Sequence, residues 1–397
     1  MTVAVRPRMT GERALMFAFL AFAALVKLAR YLPASGLAVF AACFAVAAFA
    51  SWRWARNWLF AASSESNALG GVVGTLLALT LIFLVGYPLL ETYAAGRADV
   101  GSDRDEALEA AVRALMSGAS PYDVELSTGN PLSPLPGELL LAAPFVLSGF
   151  GGLQNIAWLG FYYCALRFEL ESAKAAALAL WGTVLLAPGV VHEIVTAGDL
   201  LATSLYAAVG LSVLVLVAKR RVAGHGLPFG VGLLVGMSLS SRLTYLLLVP
   251  LVCSALMRLR GLRYGVVALI AICIGFLGVT LPFALTVRSF DPLHVFGKVS
   301  TVSGLAHAPA IVCVVAGMHV LFAVRRIYQD GATKLLPHAA SVLMTPVLIS
   351  IVVSLPKAGT RAIQAFGWYA LWCVPFATAA LARDLLGSSR RPSSVTD

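Results

Sequence analysis

The feature that most constrains this chain is a succession of long apolar runs, with short clusters of arginine and lysine between many of them. A hydrocarbon layer of about 30 Å takes about 20 helical residues to cross. The runs fall at 14–32, 36–51, 71–90, 138–167, 174–191, 199–218, 227–257, 264–287, 308–324, 339–355 and 362–382. A glycine break at Phe150-Gly151-Gly152 interrupts the fourth, and a polar break at Ser240-Ser241-Arg242 interrupts the seventh. Only 12% of the 397 residues are charged and 59% are hydrophobic, against about 25% charged in a soluble domain. A soluble globular domain and a disordered chain are both excluded. The six cysteines (Cys43, Cys164, Cys253, Cys273, Cys313, Cys373) all lie inside apolar runs and read as small hydrophobes, not as a disulfide framework. The expected fold class is an all-α polytopic membrane protein of about 11 to 13 transmembrane helices, one domain over 1–387, with 388–397 a disordered cytoplasmic tail.

The net charge of +10 lies in short clusters between the runs, the positive-inside pattern, and so does not indicate nucleic acid. The N-terminus, with Arg6, Arg8 and Arg13 before Ala14 to Leu32, resembles a signal peptide. Its apolar run is longer than an h-region and lacks a small-residue cleavage site, so it is read as a retained first span. With that end inside and 227–257 a hairpin pointing outward, 19 of the 29 basic residues fall on the cytoplasmic side. Lys27 and Arg30 lie in the first span. Trp52, Trp54 and Trp58 crowd one membrane edge as interfacial anchors.

The same topology gathers twelve of the 19 acidic residues on the opposite face, mostly in 91–137. There the stretch from Arg104 to Ser117 has helical periodicity. Leu108, Ala111, Val112 and Leu115 share one face, and Gly118 and Pro121 stop the helix. A short amphipathic helix is expected to lie in the membrane interface. Asp103 and Glu106 fit a capping box; alternatively Asp103 or Asp105 is a general base. Asp103-Arg104-Asp105 also spells D-x-D, which raises a divalent metal, Mg or Mn, as an alternative to no metal. His192-Glu193 lacks the second histidine of a zinc-protease motif.

From Asp105 to Phe145 the chain resembles the first extracytoplasmic loop of the GT-C superfamily of integral-membrane glycosyltransferases. The likeness is greatest to the bacterial mannosyltransferase-like members that use polyprenyl-phosphate sugars. The matching pieces are Asp105, Ala110 to Leu115, Gly118-Ala119-Ser120-Pro121-Tyr122-Asp123 and Asn130-Pro131 through Pro136-Gly137. Thr196 to Leu201 and the glycine-rich segment Gly232, Gly236, Arg242, Pro250 fit the same pattern. Relatives carry an aromatic residue soon after the loop aspartate, where this chain has Glu106-Ala107-Leu108; Asp103 and Asp105 therefore both stay open as the base.

The resemblance implies a GT-C-like bundle that passes a sugar from a polyprenyl-phosphate donor to a glycan, glycolipid or lipid-linked acceptor. The work would be done at the extracytoplasmic face of a bacterial inner membrane, with both termini cytoplasmic and no cofactor required. Asp105 or Asp103 takes the acceptor proton. Arg242, or alternatively a merely interfacial arginine, holds the donor phosphate, with Lys298, Lys357 and Arg361 as further cations. Tyr122, Asp123, Asn130, His192, Glu193 and Asp199 are candidate substrate contacts, Asp199 otherwise a helix cap. His294 and His307 lie in the late loop, and Trp368, Tyr369 and Trp372 are candidate stacking rings. The alternative function is a flippase or transporter of a lipid-linked or small anionic substrate, which needs ionisable groups along a path across the bilayer. A surface-polysaccharide polymerase or ligase usually has a larger late loop than 288–307.

Overall fold

A computed structural model describes residues 10–28, 34–60, 65–94, 104–126, 132–221 and 226–389. Among them there is no strand. The helices are α1 (Gly11–Leu28), α2 (Ala34–Phe60), α3 (Glu65–Ala94), α4 (Arg104–Met116), α5 (Pro136–Leu147), α6 (Gln154–Leu170), α7 (Ala173–Leu185), α8 (Pro188–Val195) and α9 (Leu200–Lys219). They continue as α10 (Gly226–Leu239), α11 (Leu248–Arg260), α12 (Leu262–Thr286), α13 (His294–Ser303), α14 (Ala308–Asp330), α15 (Leu335–Ala358), α16 (Arg361–Phe366) and α17 (Val374–Ser389).

Seven stretches of the described residues are helical, long and apolar enough to span a membrane, and two bent pairs raise the number to nine. The expected 11 to 13 also counts the runs at 14–32 and 36–51, which are helices α1 and α2, and takes each broken run as one or two helices. One bend of 120° separates α5 from α6. Gly149, at φ +79°, turns the chain there, and Gly152 lies against Phe83 so closely that a Cβ would sit 2.3 Å from the ring. The second bend, 75° between α7 and α8, comes at Pro188, which cannot continue a helix. The run expected at 174–191 is therefore two helices. The polar break at 240–242 does interrupt a span: α10 ends at Leu239, and a 3-10 turn, Leu243–Leu247, leads into α11. Helix α17 continues through Ser389; the tail beyond it lies outside the described residues, as do Arg6, Arg8 and Arg30.

The packing is that of a bundle in an apolar solvent. Helix α9 is central and mostly buried, whereas α3, α12 and α14 turn leucines outward: Leu81 is 64% exposed and Leu285 75%. In water such faces would be costly to leave uncovered; in lipid they are the solvated surface. Glycines set the closest crossing. Gly236 of α10 meets the Ile272 carbonyl of α12, and Gly275 of α12 meets the Leu233 carbonyl, each leaving 2.1 Å where a Cβ would go. Small residues bring helices this near without a hydrophobic driving force between them.

Charges collect at the two ends of the bundle. At one end Arg13 pairs with Asp384, Lys334 with Glu12 at 2.6 Å, and Glu169 with both Lys219 and Arg383. Trp54 and Trp58 stack there and lean on Trp181 of α7. The opposite end carries α4, α13 and the candidate site.

Candidate functional site

At that second end a buried arginine joins three segments. Arg242 sits where the seventh run breaks, so its backbone is extended and its side chain enters the space between α5 and α9. Its Nη2 is shared between Asp199, one residue before α9, and Glu138, in the first turn of α5, the latter at 3.3 Å. Its Nη1 donates to the Ser133 carbonyl at 2.5 Å. Arg242, Asp199 and Glu138 are all buried. Glycine makes the approach possible: a Cβ on Gly137 would lie 2.1 Å from both the Met237 carbonyl and the Ser240 hydroxyl. Buried ions tolerate this only when paired. Arg242 is thus a locked cation, not a loose interfacial one. Its contact with Asp199 fixes α9 to the α10–α11 break.

Arg242 forms one wall of a cavity of about 370 Å³. Ser133, Thr244, His294 and Tyr369 supply other polar surface, and Leu243, Leu246, Leu247, Val312, Ala316 and Trp372 make a long apolar flank. The Lys298 ammonium lies 5.5 Å from the Tyr369 ring and 5.8 Å from that of Phe366, a cation–π placement beside the polar end. Burial lowers the pKa of His294, and its Nδ1 faces the Asp291 carbonyl at 3.1 Å, so the neutral ring donates there and keeps Nε2 as an acceptor. The Arg242 charge is already shared by Asp199 and Glu138, so the slot offers an anion the nearby Lys298 ammonium, while its apolar flank suits a hydrocarbon chain.

Asp105 is elsewhere. It lies in the first turn of α4, whose apolar face (Ala107, Leu108, Ala111, Val112) is buried against Leu139, Ala142 and Val146 of α5. Protein, not bare lipid, therefore covers the face expected to lie in the interface. Gly118, at φ +78°, ends the helix as its sequence position predicted. Asp105 lines a separate cavity of about 250 Å³ with Phe83, Tyr87, Glu109, Phe150 and the bare backbone of Gly151 and Gly152. Tyr87 donates to Asp105 Oδ2 at 3.2 Å. Burial pushes the carboxyl up to about 6, with the nearby Glu91 adding to the rise, while the Glu106 amide and the Tyr87 hydroxyl act against it. Such a group is poised to exchange a proton near neutral pH.

The structure does not bring Asp105 and Arg242 into one cavity. The turn between α8 and α9 links them: Ala197 lines the Asp105 cavity, and Asp199 holds Arg242. That turn is tightly made. Ala197 has φ +50°, rare for a residue with a Cβ. Glu193 Oε2 accepts from the Leu200 amide at 3.1 Å, and Asn155 donates to the Gly198 carbonyl at 2.8 Å.

The other expected site residues divide by place. Glu193 caps α9 from within the core. Asp199, at the N-cap position, spends its side chain on Arg242 and makes no side-chain cap bond. His192 meets Trp368 edge-on at 5.7 Å. Tyr122 is buried against Phe290 and Phe283, and its hydroxyl donates to the Pro134 carbonyl at 3.2 Å, so it pins the loop. Burial raises its pKa. Exposed Asp123 accepts from Ser289, which lowers its pKa and ties the α4–α5 loop to the turn after α12. Lys357 donates to the Thr301 carbonyl at 3.3 Å, and Arg361 is exposed at the start of α16. His307 is exposed just before α14, whereas Tyr369 and Trp372 do line the Arg242 cavity. Asp103 and Asn130 lie outside the described residues, so the D-x-D pair is described only through Asp105. No group of three metal-ligating side chains occurs among the described residues.

Two participants were missed. Glu138 is the one acid in the first turn of α5, directly after Pro136-Gly137, and an acid opening an apolar helix was its available signal. Tyr87 has no sequence signal, since only the fold carries α4 back to α3. Comparison with protein-family models, with curated proteins and with solved structures finds no match for this chain.

Proposed function

We propose that the protein is a membrane glycosyltransferase of GT-C type, moving a sugar from a polyprenyl-phosphate donor to a glycan, glycolipid or lipid-linked acceptor. The observation that carries this reading is the Arg242 cavity, where a guanidinium fixed by Asp199 and Glu138 adjoins a long apolar flank and the Lys298 ammonium lies 5.5 Å from the ring of the lining Tyr369. The donor's phosphate belongs at the cations and its isoprenoid along Leu243, Leu246, Leu247 and Val312. In the transfer, the acceptor oxygen attacks the anomeric carbon and bonds to it as the carbon–oxygen bond to phosphate breaks. The bonding pair leaves on the phosphate oxygen, and Asp105 takes the acceptor proton. The departing phosphate is already a stable anion, so it needs charge stabilisation and no acid.

In this reading the donor occupies the Arg242 cavity and the acceptor the Asp105 cavity. The Glu193–Asp199 turn is then the seam where they meet. No metal ion or other cofactor is assigned a role. The compartment is the extracytoplasmic side of a bacterial inner membrane, with the chain ends in the cytoplasm. The reading is tested by offering the purified protein in liposomes a panel of radiolabelled polyprenyl-phosphate sugars with a crude lipid and glycan acceptor extract. Label incorporation that Asp105→Asn abolishes is the expected result. Movement of label between leaflets without incorporation would replace the transferase with a carrier.

A further inference from the structure

The end of the bundle opposite the candidate site has a polar cavity of its own, of about 250 Å³, between α1, the start of α15 and α17. Arg13, Lys334, Arg383, Glu12 and Asp384 all line it. The three cations are not equally committed. Arg383 is held by Glu169, whose side chain is only 2% exposed. Lys334 and Arg13 are held by acids that face water: the Glu12 side chain is 51% exposed and that of Asp384 41%. Exposed ion pairs of this kind are weak and exchange readily. Arg13 meets Asp384 through Nε and Nη2, the latter at 3.1 Å, so Nη1 is not spent on that pair. A phosphate can therefore take a share of both cations without stripping a buried carboxylate of its partner. The sequence on either side has the same sign: residues 1–9 and 390–397 bring Arg6, Arg8, Arg390 and Arg391 against one acid, Asp397.

A neighbouring cavity says what that phosphate is attached to. It is mostly apolar, about 120 Å³ in volume, and lies between α1, α2, α7 and α17, walled by Phe17, Trp52, Trp54 and Trp181. Leu381 lines both cavities. Arg13 stands at the join, one turn of α1 before Phe17, with its guanidinium 5.6 Å from the centre of the Trp52 ring. A free phosphate, a sugar phosphate or a nucleotide would use the polar cavity alone. A phospholipid would use both, its head at Lys334 and Arg13 and an acyl chain against the tryptophans. Tryptophans at a membrane edge sit at headgroup depth, so such a lipid reaches the site without leaving the bilayer.

We infer that this end of the bundle binds an anionic phospholipid, one whose head leaves the phosphate charge uncompensated, in preference to a zwitterionic one. The bound lipid bridges α1 and α17. The inference goes beyond the transferase reading and does not depend on it.

The test uses the full chain in dodecyl maltoside micelles, titrated with phosphatidylglycerol or phosphatidylcholine brominated on the acyl chains. Bromine quenches tryptophan fluorescence on contact, so Trp52, Trp54 and Trp181 report the arrival of a chain. Phosphatidylglycerol should quench saturably, with a midpoint about fivefold below that of phosphatidylcholine, as one basic contact near the membrane surface gives. Lys334→Gln should raise the phosphatidylglycerol midpoint by about fivefold and leave that of phosphatidylcholine where it was. Glu12→Gln removes the acid that holds Lys334 and should lower the phosphatidylglycerol midpoint a few-fold. Because that variant gains affinity, misfolding cannot imitate the result. Soluble glycerol 3-phosphate should not displace the lipid; displacement at equal concentration would assign the site to a free phosphate and overturn the inference. Equal quenching by the two lipids, or a phosphatidylglycerol midpoint that neither variant moves, would overturn it as well.

Discussion

Replacing Arg242 by methionine removes the one cation that Asp199 and Glu138 share, while keeping most of the volume. The two acid side chains are 0% and 1% exposed and that of the arginine is 10%, so water does not take over its role. At the 3.3 Å separation from Glu138, an effective dielectric of about 20 gives a gross attraction of about 5 kcal/mol. Desolvation offsets much of that in the intact cluster. Deleting only the cation forfeits the attraction and leaves two neighbouring carboxylates in the core, which in buried pairs costs about 3–5 kcal/mol. The same reasoning predicts rescue. Arg242→Met combined with Asp199→Asn and Glu138→Gln has no charge left to bury and should recover at least half of the loss. Unfolding in detergent, followed by circular dichroism during an SDS titration, measures all three states. A triple variant no more stable than Arg242→Met, or an Arg242→Met protein as stable as wild type, would refute the claim that these three charges form one unit.

The remaining expectations concern the other cavity and the packing. With its carboxyl up at about 6, Asp105 is protonated below that pH and cannot act as a base, so transfer should fall away on the acid side of about pH 6 in a pH–rate profile. Tyr87→Phe removes a hydrogen bond that lowers this pKa, and so should move the acid limb to higher pH without abolishing transfer; an unmoved limb would remove Tyr87 from the positioning of Asp105. Gly236→Ala forces α10 from the Ile272 carbonyl and should cost about 1–3 kcal/mol in the same unfolding assay. Gly278→Ala, which meets nothing within 4 Å, should stay within about 0.5 kcal/mol of wild type.

Much of the architecture could be read from the chain because lipid imposes a simple rule on span length. The apolar runs became helices, the Arg242 break became a break, and the periodicity of Leu108, Ala111 and Val112 gave the buried face of α4 correctly. Bends were less legible. Pro188 stands inside an apolar run, near its end, and a proline inside a membrane helix either kinks it gently or ends it, depending on neighbours that hydropathy does not describe. The site was legible in its residues but not in its pairings. Arg242 and Asp199 were both singled out, yet nothing in a separation of 43 positions says that they meet. Glu193 shows the limit from the other side: an acid beside a histidine invites a ligand-binding role, and it is a buried acceptor for the Leu200 amide.

The pairing of Arg13 with Asp384, 371 positions apart in sequence, has a consequence for how the protein is made. Helix α1 leaves the ribosome first among these elements and α17 last. Until α17 enters the bilayer, Arg13 has the Trp52 ring of α2 but not its carboxylate partner, and the flank of α1 that packs on the turn Gly367–Cys373 and on α17 stays bare. Early spans therefore wait only partly latched, by neighbours such as α2 and α8, through much of translation. A nascent chain halted before Val374 keeps the Glu12–Lys334 pair but lacks the Arg13–Asp384 one, so the last helix completes the closure of α1.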